Sequence, residues 1–310
     1  MKAVRLILAV LAMLALGTQP ALAQKRVAIT FDDIPRHAGN FMSPDERALR
    51  LIAGLDEAGV EQAAFFVTTG NLDTPDGTGG ETRIRAYAAA GHVLANHSHS
   101  HSSLYTEEAD AYLADLDRAA AWLEGKPNTR EWYRYPYLHE GNDEAKRDAV
   151  REGLRARGLL NAYVTIDNYD WAIDGLANRA VADGRVLDME ALRDLYVETL
   201  VDAAEFSDRV ATGVLGRSPV HVLLLHETDL NALFIGDVVA GLRAAGWEIA
   251  TADEAFADAI AAREPDTMFL GGGRVTALAH EAGRPASELV HERTDEKLLG
   301  ELFERRVVVE

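Results

Sequence analysis

Seven short apolar runs alternate with helical patterns along this chain, and that alternation restricts the fold more than any other feature. The runs cover residues 27–31, 63–68, 92–95, 131–135, 162–166, 220–225 and 247–251. Between them, helical periodicity covers 45–58, 81–90, 106–124, 143–157, 189–215 (one long helix or a broken pair) and 232–245. Ser43-Pro44 reads as a cap and first-turn proline for the first helix, whose Leu49, Ile52 and Leu55 are expected on one face. Thr106 reads as an approximate cap for the third. Parallel strands need crossover connections, so strand-helix alternation predicts a parallel sheet, and about seven such units predict a closed or nearly closed α/β barrel. Active sites in barrels lie at the carboxyl ends of the strands. The polar motifs fall there.

The first run delivers two adjacent carboxylates, Asp32 and Asp33, just before Pro35. Neighbouring residues on a strand point to opposite faces, so one carboxylate is free to bind a cation while the other handles protons. The third run leads into Asn96-His97-Ser98-His99-Ser100-His101. His97 and His101 are four apart, and a helical turn is expected to bring both to one side while His99 points elsewhere. With Asp33 they form a three-ligand set that leaves one position open, as a catalytic zinc needs. One divalent cation is expected there, zinc in first place and cobalt in second.

Thr30-Phe31-Asp32-Asp33 and His97-Ser98-His99-Ser100-His101 resemble the first two motifs of the NodB-homology polysaccharide deacetylases, carbohydrate esterase family 4. Arg134-Tyr135-Pro136-Tyr137, Asp170-Trp171 and Leu224-Leu225-His226 resemble the remaining three, in order. The resemblance implies a distorted (β/α) barrel. It implies Asp33, His97 and His101 as the metal triad, Asp32 as general base and Arg134 as the residue that orients it. It further implies the backbone N–H of Tyr137 as an oxyanion donor, His226 as general acid with Asp170 as its charge partner, and Trp171 and Leu224 as pocket wall. Three positions depart from the pattern: Ile34 and Leu138 where glycine is common, and Glu227 where aspartate is common. The larger side chains at Ile34 and Leu138 are expected to narrow the rim. His37, His92, His139, His221, His280 and His291 lie outside all five motifs and read as structural or surface residues.

Lys2, Arg5, the apolar stretch 6–16 and Ala21-Leu22-Ala23 have the form of a secretory signal peptide over residues 1–23, so a periplasmic or secreted protein with no membrane span after cleavage is expected. With 0 Cys, thiolate metal sites and disulfides are excluded. The net charge of −19 argues against nucleic acid and anionic lipid as partners. A single large domain over 24–263 is expected, followed by a 264–310 extension of unknown role, which either packs on the barrel or mediates association. The function expected is metal-dependent removal of N-acetyl groups from amino sugars of an oligo- or polysaccharide such as chitin-like glycan, peptidoglycan or exopolysaccharide. O-acetyl esterase activity on xylan-type glycans is the alternative within the same chemistry. A non-catalytic periplasmic metal or glycan binder is the alternative from another class, and it has no need of Asp32 or His226. Oligomeric state is left open by the sequence.

Overall fold

The computed structural model describes residues 24–309, so the signal peptide expected at 1–23 lies outside the described residues. Seven strands, β1 (Lys25–Ile34), β2 (Ala64–Val67), β3 (Val93–Asn96), β4 (Thr129–Tyr133), β5 (Leu160–Asn161), β6 (Val220–His226) and β7 (Trp247–Ile249), are all paired in parallel. The sheet runs β5-β4-β3-β2-β1-β6, with β7 against the first residues of β1. Past β5 the chain crosses to the far edge, where Thr165 and Ile166 both donate to the Val222 carbonyl, at 3.1 and 3.0 Å, and Leu224 donates back to Ile166 at 3.2 Å. The curled sheet thereby closes into a distorted (β/α) barrel. The strand expected over 162–166 is corrected accordingly: that segment leaves β4 and joins β6 within a few residues, and a regular ladder with either neighbour is impossible.

Both faces of the strands are buried, so successive residues serve two different cores. Val27, Ile29 and Phe31 of β1, with Leu223 and Leu225 of β6, pack against the surrounding helices. Ala28 of β1, Phe66 of β2 and Val222 of β6 belong to the second core. Thr30 and Asp32 share the Ala28 face of β1 by the same period of two. That face carries the chemistry.

The helices are α1 (Pro44–Glu57), α2 (Gly80–Ala89), α3 (Ala109–Leu123), α4 (Glu144–Ala156), α5 (Asp170–Ala182), α6 (Met189–Leu215), α7 (Asp229–Ala244), α8 (Ala252–Phe256), α9 (Arg274–Glu281) and α10 (Glu296–Arg306). Ser43 caps α1 by accepting from the Glu46 N–H, with Pro44 at its first turn. Its buried face carries Ala48, Leu51 and Leu55, whereas Leu49 is exposed, because spacings of three and four follow the 3.6-residue turn better than repeated threes. Thr106 does not cap α3: its hydroxyl donates to the Ser103 carbonyl in a preceding turn, and the helix starts at Ala109. The segment 189–215 is one unbroken helix, opened by the Asp188 carboxylate on two N–H groups and closed by Gly216 at φ 70°.

The segment after 263 packs on the barrel. Leu299 and Phe303 of α10, and Val307 beyond it, are buried in the same core as α5 and α6. Gly273 turns the chain at φ 84°, where a Cβ would stand 2.7 Å from the Val164 carbonyl oxygen, so this approach requires glycine. The next N–H, of Arg274, donates to that same oxygen at 2.7 Å.

Candidate active site

The first carboxylate pair is separated by a kink. The β1–β2 register shifts between Phe31 and Ile34, and Asp33 adopts φ 68°, a left-handed conformation that Asp tolerates better than most residues. Asp32 stays on the inner face, 4% exposed in its side chain, while Asp33 turns toward the opening. The buried Arg134 lies one residue past the end of β4, although the strand expected over 131–135 included it. Its Nη1 donates to Asp32 Oδ1 and to Thr30 Oγ1, both at 2.7 Å, and its Nε donates to the Ala162 carbonyl at 2.9 Å. The guanidinium also lies 3.8 Å from the Phe66 ring centre. Burial pulls the Arg134 pKa down and the Asp32 charge opposes that pull.

No helical turn joins His97 to His101. A loop with Ser98 at φ 71° and His101 at φ 54° does it instead. The Asn96 side chain accepts from the Ser98 N–H, Ser98 Oγ accepts from the His101 N–H, and Asp115 of α3 accepts from the N–H groups of His99 and Ser100. Short polar side chains make such backbone turns readily, which is why the tract does not continue as helix. Gly70 comes so close that a Cβ there would lie 2.4 Å from the His99 carbonyl oxygen. His99 points away, its Nδ1 at 2.9 Å from Thr69 Oγ1.

Asp33, His97 and His101 each present a ligand atom within 4.8 Å of the others. His101 Nε2 lies 2.9 Å and His97 Nε2 3.6 Å from Asp33 Oδ1, yet that oxygen is buried with no hydrogen-bond partner among the described residues. His97 Nδ1 is 2.9 Å from the Arg134 carbonyl and donates to it, so Nε2 carries the lone pair that faces the carboxylate. Converging lone pairs on one orphaned oxygen fit a divalent cation with nitrogen and oxygen ligands. Burial raises the Asp33 pKa, but the close approach of the His101 and His97 rings, with the charges of His101 and His226, holds it well below the usual carboxylate range.

On the adjacent strand, His226 pairs in register with Asp32 at the end of β6. Its Nδ1 donates to Asp170 Oδ1 at 2.7 Å and its backbone N–H donates to Oδ2 at 2.8 Å, and Asn231 donates to Oδ2 as well. Asp170, fully buried, opens α5, a helix the sequence reading missed. Burial pushes the His226 pKa down, but the charge and hydrogen bond of Asp170, with the Asp33 charge, push it up to about 9.

Asp32, Asp33 and His101 open on one cavity of about 530 Å³, whose walls also include Tyr137, Trp171 and Leu224. Tyr137 is 58% exposed, sits at φ 58° and places its ring 4.5 Å from that of His101. Ile34 is fully buried in the core and does not narrow the rim; Leu138 does line it. Glu227 is buried behind the site, accepting from Tyr87 Oη at 2.6 Å and from the Arg36 N–H at 2.7 Å.

The motifs did not point to several further wall residues. Arg36 donates to Asp33 Oδ2 at 2.6 Å, so one carboxylate oxygen is tied to a cationic side chain while the other faces the histidines. Asp167 and Tyr169 lie between β5 and α5, and burial, reinforced by the Asp170 charge, pushes the Asp167 pKa up to about 7 against the Asn168 N–H and the His226 charge. His139, read as structural or surface, stands on the wall and stacks on Tyr105 at 3.7 Å. Asp167 falls in an Asp-x-x-Asp-Trp run, a spacing that pairs it with the fourth motif and was there to be read. Of the histidines read as structural or surface residues, His92 and His221 are buried, His221 between Thr165 and Asp208.

Residues 19–156 match the family model described as polysaccharide deacetylase. That stretch holds the first three motifs, so the resemblance to polysaccharide deacetylases stands on more than the motifs themselves. A comparison with curated proteins finds no match. Among solved structures, a family 4 carbohydrate esterase from Streptomyces lividans in complex with acetate is 19% identical with TM-score 0.48, covering 75% of this chain and 96% of its own. A family 4 acetyl xylan esterase from Clostridium thermocellum, in complex with a cobalt ion, is 20% identical with TM-score 0.49, covering 75% and 90%. A family 4 pseudoenzyme from Bacillus anthracis is 17% identical with TM-score 0.49, covering 75% and 65%.

Proposed function

We propose that this protein is an exported, metal-dependent deacetylase that removes N-acetyl groups from amino sugars of an oligo- or polysaccharide. One observation carries the reading: beside the Asp-His-His set stand a carboxylate tied to an arginine and, paired in register with that carboxylate on the next strand, a histidine tied to a second carboxylate. Hydrolysis of an amide needs a base for water and an acid for the leaving nitrogen, whereas metal storage needs neither. Export is proposed from the leader-like residues 1–23.

When bound, a divalent cation at Asp33, His97 and His101 supplies Lewis-acid polarisation of the acetyl carbonyl and of water. Zinc suits these ligands best, and cobalt also fits. Asp32 takes the proton of the attacking water, and Arg134 fixes the carboxylate that receives it. As the C–N bond breaks, the His226 imidazolium gives its proton to the departing amine, leaving acetate and the free amino sugar. The Tyr137 N–H is the proposed second donor to the carbonyl oxygen as it gains charge. Trp171 and Leu224 hold the acetyl group and the ring that bears it.

The test is acetate release by the zinc-loaded and cobalt-loaded protein from N-acetylated chito-oligomers, peptidoglycan fragments and acetylated xylan. Release from the amino sugars is expected. Release from xylan alone would replace N-acetyl by O-acetyl chemistry, and release from none of them would leave a binding protein.

A further inference from the structure

Two residues outside the five motifs fasten Asp33. The Asn71 side chain donates to its carbonyl at 3.1 Å and Arg36 Nη1 donates to its Oδ2 at 2.6 Å, while Oδ1 is left facing His97 and His101. Arg36 is itself held from behind. Its N–H donates to Glu227 Oε2 at 2.7 Å, and Arg47 Nη2 donates to the carbonyls of Arg36 and His37, both at 2.8 Å. Arg47 is buried against Asp229, Nη1 to Oδ1 at 3.2 Å, and Asp229 Oδ2 accepts from the Phe41 N–H at 3.1 Å. Gly39 passes so close that a Cβ there would stand 1.9 Å from that same Oδ2. Arg47 belongs to α1 and Asp229 opens α7, so segment 36–41 is bound to two helices and presents its arginine to Asp33 from a fixed backbone. We propose that Arg36 is a positioning residue that decides which cation the site takes: by holding Asp33 Oδ2 it restricts Asp33 to one oxygen donor, which suits zinc and disfavours manganese. The proposal rests on the reading of Asp33, His97 and His101 as cation ligands.

The count of donor atoms carries the argument. With Oδ2 engaged by the guanidinium, the chain offers two imidazole nitrogens and one carboxylate oxygen, a set that a four-coordinate cation completes with one further ligand. Manganese(II) prefers about six ligands, mainly oxygens. A carboxylate binds such hard cations through one oxygen or through both. The tie on Oδ2 removes the second mode, and with it a donor that manganese gains from more than zinc does. The charge of Arg36 also repels any cation bound at Asp33, but it acts on either dication alike. It therefore cancels in the ratio of the two affinities, and the ratio reports the oxygen that Arg36 holds.

The experiment measures dissociation constants for zinc and for manganese in wild type, Arg36→Ala and Arg36→Lys, each stripped of metal and titrated in competition with a chelator of known affinity. The manganese-to-zinc ratio of Kd should fall by about tenfold or more in Arg36→Ala, the scale on which the partners of metal ligands act. Arg36→Lys, whose ammonium keeps one donor for Oδ2, should fall between wild type and Arg36→Ala. A loss of folded protein weakens both metals alike and leaves the ratio where it was. Arg36→Met, which fills similar space without a donor, takes the place of the alanine variant if that one does not fold. A ratio that is unchanged or raised when the donor is removed overturns the proposal and leaves the cation site and the deacetylase reading intact. A wild type that binds neither metal takes down the cation reading and the proposal with it.

Discussion

Replacing Asp170 by asparagine tests the acid half of the proposed chemistry at a single atom pair. The substitution keeps the size of the side chain but removes the charge that His226 Nδ1 meets at 2.7 Å. With 15% of its side chain exposed, His226 is little screened by water. Its rise from 6.5 to about 9 corresponds to a preference of roughly 3 kcal/mol for the imidazolium. Without the Asp170 charge, burial is left to act against protonation, so the variant should titrate at or below the ordinary value. At about pH 8 the wild-type ring is then about nine-tenths protonated and the variant's about one-thirtieth, a loss of roughly thirtyfold in available acid. The assay is kcat/KM against pH on an N-acetylated chito-oligomer and, in parallel, on an aryl acetate, whose leaving group needs no proton. The alkaline limb on the amide should move down by more than one pH unit, and the aryl acetate should show far less of it. The stability of the fold should report the same linkage. Because the folded pKa is raised, the stabilisation is complete below about 6.5 and lost as pH rises through about 9. The urea midpoint difference between wild type and Asp170→Asn should therefore shrink toward alkaline pH. Coincident alkaline limbs on the amide would refute the role of His226 as an acid tuned by Asp170.

Three further outcomes are expected. His97→Ala and His101→Ala should lose bound metal by elemental analysis whereas His99→Ala keeps it, because His99 is turned onto Thr69; full occupancy in the first two would remove the ligand assignment. Asp32→Asn should lower turnover by roughly 10²-fold or more with metal content intact, and Arg134→Ala should also cost about 3–5 kcal/mol of stability by leaving a buried carboxylate unpaired; normal kinetics in the first would exclude Asp32 as base. Phe303→Ala should cost about 3–5 kcal/mol in urea unfolding, since its ring is buried in the main core, and an unchanged midpoint would mean that α10 is not part of the folded unit.

Elements with a simple period were legible in the sequence. Strands β1, β2, β3, β6 and β7 and most of the helices were readable because burial on both strand faces and on one helix face leaves a pattern in residue type. Asp32, Asp33, His97 and His101 stand out because their residue types are unusual at the ends of apolar runs, whereas Arg134, Asp170 and His226 are singled out only through the resemblance to the deacetylase motifs. What escaped depends on long-range geometry. Nothing local in Thr165-Ile166 says that they turn away from β4 to bond Val222, and nothing in Asp115 says that it holds the histidine loop sixteen residues upstream. Helix α5 escapes the sequence because its first residues, Asp170-Trp171, read as a motif and not as a helix start.

The histidine loop shows why a spacing read correctly still gave the wrong local structure. Four residues separate ligands on a helix, and four also span a loop that folds back on itself. Sequence spacing gives the distance along the chain, and the backbone path is decided by what else binds it. Here Asn96 and Ser98 supply side-chain oxygens to the N–H groups of Ser98 and His101, and Asp115 takes two more, so the amides that a helix would commit to carbonyls four residues back are engaged elsewhere. The left-handed Ser98 and His101 follow from that competition, and Asp33 is also left-handed, at the register shift of β1. All three strained residues are at or beside the candidate metal ligands. Strain of this kind persists only where the surroundings over-determine it, and the ties holding it here, from Asn96, Asp115, Arg36 and the Arg134 carbonyl, are all made within the protein. The ligand atoms are thus brought together by the fold itself, and Asp33 Oδ1 stands among them as a buried oxygen with no hydrogen-bond partner among the described residues.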